Sequence, residues 1–120
     1  MFLVDTSVWV NHLRRSDERL QKALLDDQVL MHPFVLGEIA CGSLHRRSTI
    51  LGDLALLPHA VSAENGEVLE FLEQHRLFGK GIGWIGAHLL ASAVLTRCRL
   101  WTLDSRLGNA AVSLKLSPHN

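Results

Sequence analysis

Short apolar runs alternate along the chain with stretches whose apolar residues recur every three or four positions. Phe2, Leu3 and Val4 follow one another without a polar break, which fits a strand buried on both faces. Val8, Trp9 and Leu13 then predict a first helix that ends near Arg14. Ser16 precedes a second helix, with Asp17 and Glu18 in its first turn and Leu20, Ala23 and Leu24 as its apolar stripe. Asp26 and Asp27 end it, and residues 29–31 read as the second strand. Pro33 suits the first turn of a third helix carrying Val35, Leu36, Ile39 and Ala40. A short helix over 48–56 follows, then a turn or brief strand opened by Pro58. Ser62 is placed to cap a helix that carries Val68, Leu69, Leu72 and Leu77. Gly79, Gly81 and Gly83 predict a loop before an apolar helix over 85–96. Residues 100–103 read as the next strand, and the alternation over 112–116 predicts a last, edge strand before Pro118. Helices between short apolar strands make a three-layer α/β/α sandwich around a central parallel sheet.

A length of 120 residues suits one domain spanning 1–120 and is too short for two. Apolar residues at 48% and charged residues at 20% place the chain among folded globular proteins rather than disordered ones. Twelve acidic and twelve basic side chains cancel, so overall charge does not mark a nucleic-acid binder, although a local patch can. A mean hydropathy of +0.16 with zero net charge suggests a surface that wants covering. Cys41 and Cys98 fit no metal spacing and no disulfide scaffold, so a reducing, cytoplasmic compartment is expected. The apolar run before Asp5 is too short for a signal peptide, and the apolar stretch 81–94 is too short to span a bilayer. No membrane association is expected.

The chemistry sits at the ends of the strands. Asp5 closes the first apolar run and is followed by two hydroxyls, Thr6 and Ser7. It reads either as a helix cap or as a carboxylate delivered to the C-terminal rim of a central strand. Asp104 repeats the pattern after the strand 100–103, with Ser105 next. Two such acids on neighbouring strands would reach one rim, and like charges that close call for a cation between them. Magnesium or manganese takes oxygen ligands of this kind. Glu38, inside the apolar segment Phe34–Ala40 and beside Gly37, is the third candidate; Gly37 is read as permitting close backbone approach. Glu64, Glu67, Glu70 and Glu73 recur every third residue and read instead as a solvated acidic face.

Other residues say less. The seven histidines make no metal-ligand spacing, and His88 reads as a core-edge residue with a backbone partner. Trp9, Trp84 and Trp101 are core candidates, with Trp84 partly exposed in the glycine loop. That loop is neither a Walker loop nor a dinucleotide fingerprint. Arginines fall in close sets, Arg14-Arg15, Arg46-Arg47 and Arg97 with Arg99, and these suit either a phosphodiester backbone or ordinary surface.

The segments MFLVDTSVWVNHLR, FVLGEIACG, GIGWIGAHLLASAVL and LWTLDSRL, in that order, closely resemble the successive motifs of PIN-domain ribonucleases, and among them the VapC toxins of toxin–antitoxin modules. The resemblance covers nearly the whole chain. It implies a metal-dependent endoribonuclease that cuts RNA with magnesium or manganese held by acids at the sheet rim. Carried over, the first acid is Asp5, supported by Thr6 or Ser7; the second is Glu38 and the fourth Asp104, with Asp5 and Asp104 as metal ligands. Asn11 falls where the family often has an acid or amide. The third acid is absent, because Gly86 stands where the pattern has Asp before AHLLASA. The resemblance therefore implies a weakened or silent nuclease, through natural divergence or through replacement of a toxic Asp; the intact surroundings favour replacement. It also implies a VapB-like antitoxin partner, a homodimer within a larger toxin–antitoxin assembly, and contact with operator DNA only through the antitoxin.

Two other readings compete with the nuclease. Gly86 lends weight to a non-catalytic module that binds RNA or the antitoxin. A phosphotransfer receiver domain also begins with acids near an early strand. The chain lacks that domain's central strand-end Asp and its later strand-end Lys.

Overall fold

The computed structural model describes residues 1–118; His119 lies outside them. Three short strands, β1 (Phe2–Val4), β2 (Val29–Leu30) and β3 (Arg99–Trp101), form a parallel sheet in the order β2-β1-β3. Phe2 pairs with both Val29 and Arg99, and Val4 with Trp101, so β1 is the central strand, as its apolar run predicts. A one-residue parallel bridge between Met31 and His59 extends the sheet beyond β2, which accounts for the brief strand expected after Pro58.

Among the described residues, seven helices surround the sheet: α1 (Thr6–Arg14), α2 (Glu18–Leu25), α3 (Pro33–Ala40), α4 (Arg47–Ala55), α5 (Asn65–Gln74), α6 (Gly83–Thr96) and α7 (Ser105–Ser113). They make the α/β/α sandwich predicted from the alternation of elements. α1 packs on α3, α5 packs on α6, and both α6 and α7 pack on β3. α6 is buried along its whole middle, from Gly86 to Ala93, which is why its sequence is apolar all round. It is a core helix; among the described residues no helix is long and apolar enough to cross a membrane.

Several local expectations need correction: β3 ends at Trp101 rather than at 103, and α5 ends at Gln74, short of Leu77. Residues 112–116 form no strand: Val112 and Ser113 complete α7, and Lys115 takes a left-handed φ of 61°. The Leu116 N–H then bonds to the Ala111 carbonyl at 2.8 Å, a helix-ending turn that the alternating sequence conceals. α5 starts after Glu64 rather than at Ser62, with Glu67 Oε1 accepting the Glu64 N–H at 2.9 Å. α6 begins at Gly83, two residues earlier than expected, because Gly79, Gly81 and Gly83 take φ of 70–75° and turn the chain directly into the helix.

Candidate metal centre at the sheet rim

Asp5 follows the central strand and caps α1. Its backbone N–H bonds to the Trp101 carbonyl at 2.9 Å, which carries the β1–β3 pairing up to the carboxylate itself. Oδ1 accepts the Thr6 N–H at 2.8 Å; Oδ2 accepts the Ser7 hydroxyl at 2.9 Å and the Thr102 hydroxyl at 2.7 Å. Three donors explain how a carboxylate only 8% exposed remains tolerable there. The cap reading and the strand-rim reading therefore describe the same residue.

The other acids hang from this centre on single hydroxyls. Thr102 Oγ1 also accepts the Asp104 N–H at 3.0 Å, so one threonine joins the two strand-end acids. Asp104 caps α7 by accepting the Arg106 and Leu107 N–H groups on Oδ1, at 2.9 and 3.0 Å. On the opposite side, Thr6 donates to Glu38 Oε1 at 3.0 Å, across the packed pair α1 and α3. Ser7 completes the scaffold by accepting the Leu103 N–H at 3.0 Å. Glu38 and Asp104 are exposed and Asp5 is buried, so the rim presents one deep acid flanked by two open ones.

Gly86 is the fourth residue of α6 and is buried. A Cβ built on it would lie 3.2 Å from a Leu107 methyl and 3.6 Å from the Ile82 Cβ. It thus faces the first turn of α7, the turn that Asp104 caps. Gly37 brings no backbone close: a Cβ there would meet nothing within 4 Å, contrary to the role expected of it. Glu64, the N-cap of α5, and Glu67, Glu70 and Glu73 along it are exposed, as a solvated face should be.

Around the acids, Arg14 and Glu38 line a groove of about 210 Å³ floored by Leu13, Ile39, Leu44 and Ile50. Arg14, Arg15 and Arg46 are exposed; Arg47 is exposed too and donates to the Ala40 carbonyl at 2.9 Å. Arg99 donates to the Ser117 carbonyl at 2.7 Å. Trp9 and Trp101 are buried and Trp84 is 41% exposed, as expected. His88 differs from expectation: it is buried against Phe34 and Trp84, and its Nε2 has no hydrogen-bond partner.

The sequence pattern of the PIN domain family matches residues 2–113. The chain belongs to the PIN domain family. Its likeness extends to proteins named Ribonuclease VapC32 from two strains of Mycobacterium tuberculosis, CDC 1551 / Oshkosh and ATCC 25618 / H37Rv. Each is 45% identical over 108 residues, covering 89% of this chain and 87% of the relative. No solved structure gives a significant match.

The donor atoms offered by this PIN domain are carboxylate and hydroxyl oxygens, the kind magnesium and manganese prefer. Among the described residues, no group of three or more His, Cys, Asp or Glu is gathered to hold a metal ion. Magnesium does not require such a cage, since it commonly binds through one or two carboxylates and keeps several waters. The residues present fit a hydrated ion beside Asp5, and fit it with fewer direct ligands than a closed acidic cluster would give. Thr102 went unnoticed in the sequence because a threonine within LWTL reads as an ordinary strand residue; its place two positions before a strand-end Asp was the available signal.

Proposed function

We propose that this PIN domain is an endoribonuclease of the VapC kind, the toxin half of a toxin–antitoxin pair, whose activity depends on magnesium or manganese. The observation that carries the reading is 45% identity, over 89% of the chain, to a protein named as a ribonuclease. Asp5 and Asp104 would hold the ion, Asp5 directly and Asp104 directly or through water, with Glu38 contributing through water from the α3 side. When bound, such an ion lowers the pKa of an attacking water and offsets charge on the phosphoryl oxygens.

The chain's own residues supply orientation. Three hydrogen bonds fix Asp5, leaving little freedom for its carboxylate to swing. Thr102 and Thr6 hold Asp104 and Glu38 at set positions on either side. Water adds to the phosphorus as the bond to the leaving oxygen breaks, so no covalent enzyme intermediate is needed. Arg14, which lines the same groove as Glu38, would meet a neighbouring phosphate of a single-stranded segment.

The same groove suits a VapB-like antitoxin segment that brings a basic side chain to Glu38. A homodimer, a larger toxin–antitoxin assembly and operator contact through the antitoxin belong to the same proposal. Gly86 leaves the rim one carboxylate short and weakens ion binding, because metal affinity depends on ligand number and charge. That shortage also favours a second reading, a module that binds RNA or antitoxin without turnover.

The test is RNA cleavage by the purified chain over a series of magnesium and manganese concentrations, with Asp5→Asn and a chelator as controls. Slow cleavage that rises with metal and vanishes in Asp5→Asn supports the nuclease. RNA or antitoxin binding with no cleavage at any metal concentration, even in a Gly86→Asp background, supports the binding module.

A further inference from the structure

α3 and α6 touch where the Phe34 and His88 rings pack, beside buried polar side chains that take no part in the acidic rim. His32, the N-cap of α3, is 1% exposed; on α6, His88 is 2% exposed and Ser92 is fully buried. His88 and Ser92 stand one helical turn apart and so share a face. The Phe34 ring packs against both imidazoles, with centroids 5.2 Å from His32 and 4.7 Å from His88. His32 Nε2, His88 Nε2 and Ser92 Oγ are all buried without a hydrogen-bond partner. Ser92 even forgoes the bond to the carbonyl one turn back that helical serines commonly make.

The protonation of His32 follows from its cap. Nδ1 accepts the Phe34 N–H at 3.0 Å, so Nδ1 carries the lone pair and the proton of the neutral ring is on Nε2. That Nε2–H is a buried donor and requires an acceptor. A metal ion does not qualify, because Nε2 has no lone pair to give while Nδ1 caps α3. Direct bonding to His88 is not made, since both Nε2 atoms are unpartnered.

We infer that the joint between α3 and α6 is an internal water-binding site. Water accepts from His32 Nε2–H, donates to His88 Nε2 and hydrogen-bonds Ser92 Oγ, giving each buried polar atom the partner that the protein does not supply. The arrangement requires His88 to be the Nδ1–H tautomer, opposite to His32. It links the helix that carries Glu38 to the helix that carries Gly86 through the protein interior, independently of the acidic rim and of any catalysis there.

Long-range proton–nitrogen correlation spectra of the full chain at neutral pH test the site directly. The expected result is His32 protonated at Nε2, His88 at Nδ1, and a dipolar cross-peak between the His32 ring N–H and a long-lived water. Ser92→Ala removes one of the water's partners and should speed exchange of that ring N–H by about tenfold, the equivalent of one lost hydrogen bond. His32 protonated at Nδ1, a through-bond coupling between His32 and His88 nitrogens, or unchanged exchange in Ser92→Ala would overturn the inference. If Ser92→Ala does not fold, the tautomers and the water cross-peak of the unaltered chain decide alone.

Discussion

Thr102 joins Asp5 to Asp104: its hydroxyl donates to Asp5 Oδ2 at 2.7 Å and accepts the Asp104 N–H at 3.0 Å. The residue thereby couples the ends of β1 and β3 at the point where the candidate chemistry lies. Thr102→Val keeps the shape and removes the hydroxyl, leaving a buried carboxylate and a backbone N–H each short of a partner. The expected loss is about 1–3 kcal/mol, measured by urea unfolding. Thr102→Ser should recover most of it. A Thr102→Val protein as stable as the unaltered chain would mean that water replaces the hydroxyl at no cost.

Asp104 caps α7 and is proposed to hold the ion, and substitution can separate the two. As N-cap of α7 it accepts two backbone N–H groups, and Asp104→Ala should cost about 1 kcal/mol. Asp104→Asn retains a capping oxygen and should keep most of the stability while losing the charge that attracts a cation. The prediction is a near-normal melting temperature with weaker magnesium binding, read by calorimetry. Equal magnesium affinity in Asp104→Asn and the unaltered chain would remove Asp104 from the ligand set.

Two glycines should respond to alanine in opposite directions. Gly37 lies inside α3 with nothing within 4 Å of a built Cβ, so Gly37→Ala should stabilise by about 0.5–1 kcal/mol. Gly81 has φ of 75°, and a Cβ there would fall 2.7 Å from the Arg106 side chain. Gly81→Ala should therefore destabilise by about 1–2 kcal/mol through the left-handed backbone alone, before Arg106 moves aside. Thermal unfolding of both variants, with Arg106→Ala as a control that removes the clash and leaves the backbone cost, checks the pair.

Stability should fall in mild acid. Burial, and then the neighbouring His88 and His59, lower the His32 pKa from 6.5 to about 4; burial lowers His88 as well. The folded state keeps His32 neutral at a pH where the unfolded chain has begun to bind a proton. Its contribution is therefore complete above pH 6.5 and is lost as pH falls toward 4, with a slope of up to about 1.4 kcal/mol per pH unit. His32→Asn keeps an N-cap oxygen and should flatten the slope between pH 5 and 6.5, at some cost in overall stability. Urea midpoints across that window provide the measurement; an unchanged slope in His32→Asn would assign the acid sensitivity elsewhere.

What could be read from the sequence follows from where each signal is stored. The central strand was legible because an unbroken Phe2-Leu3-Val4 run ending in an acid leaves few alternatives. That Asp5 and Asp104 each follow a strand of the sheet and cap the next helix was legible because the same strand-then-acid pattern occurs twice. Thr102 was not, since its role depends on which strand lies beside β1, a tertiary fact. Residues 112–116 misled because alternation over five positions also fits the end of a helix whose stripe is Leu107, Ala110 and Ala111. The capping bond of His32 was equally hidden, as histidine before proline carries no strong cap signal.

Gly86 bears most directly on the account. An Asp at this position would face the first turn of α7 and would need Leu107 to yield by a few tenths of an ångström, which a leucine methyl can do. The deciding measurement is a time course of RNA cleavage by the unaltered chain and by Gly86→Asp, run together over a range of magnesium and manganese concentrations. The unaltered chain should cleave little or not at all, and Gly86→Asp should show metal-dependent cleavage. Equal, metal-dependent activity in both would contradict this, because the rim would then be complete without a carboxylate at position 86.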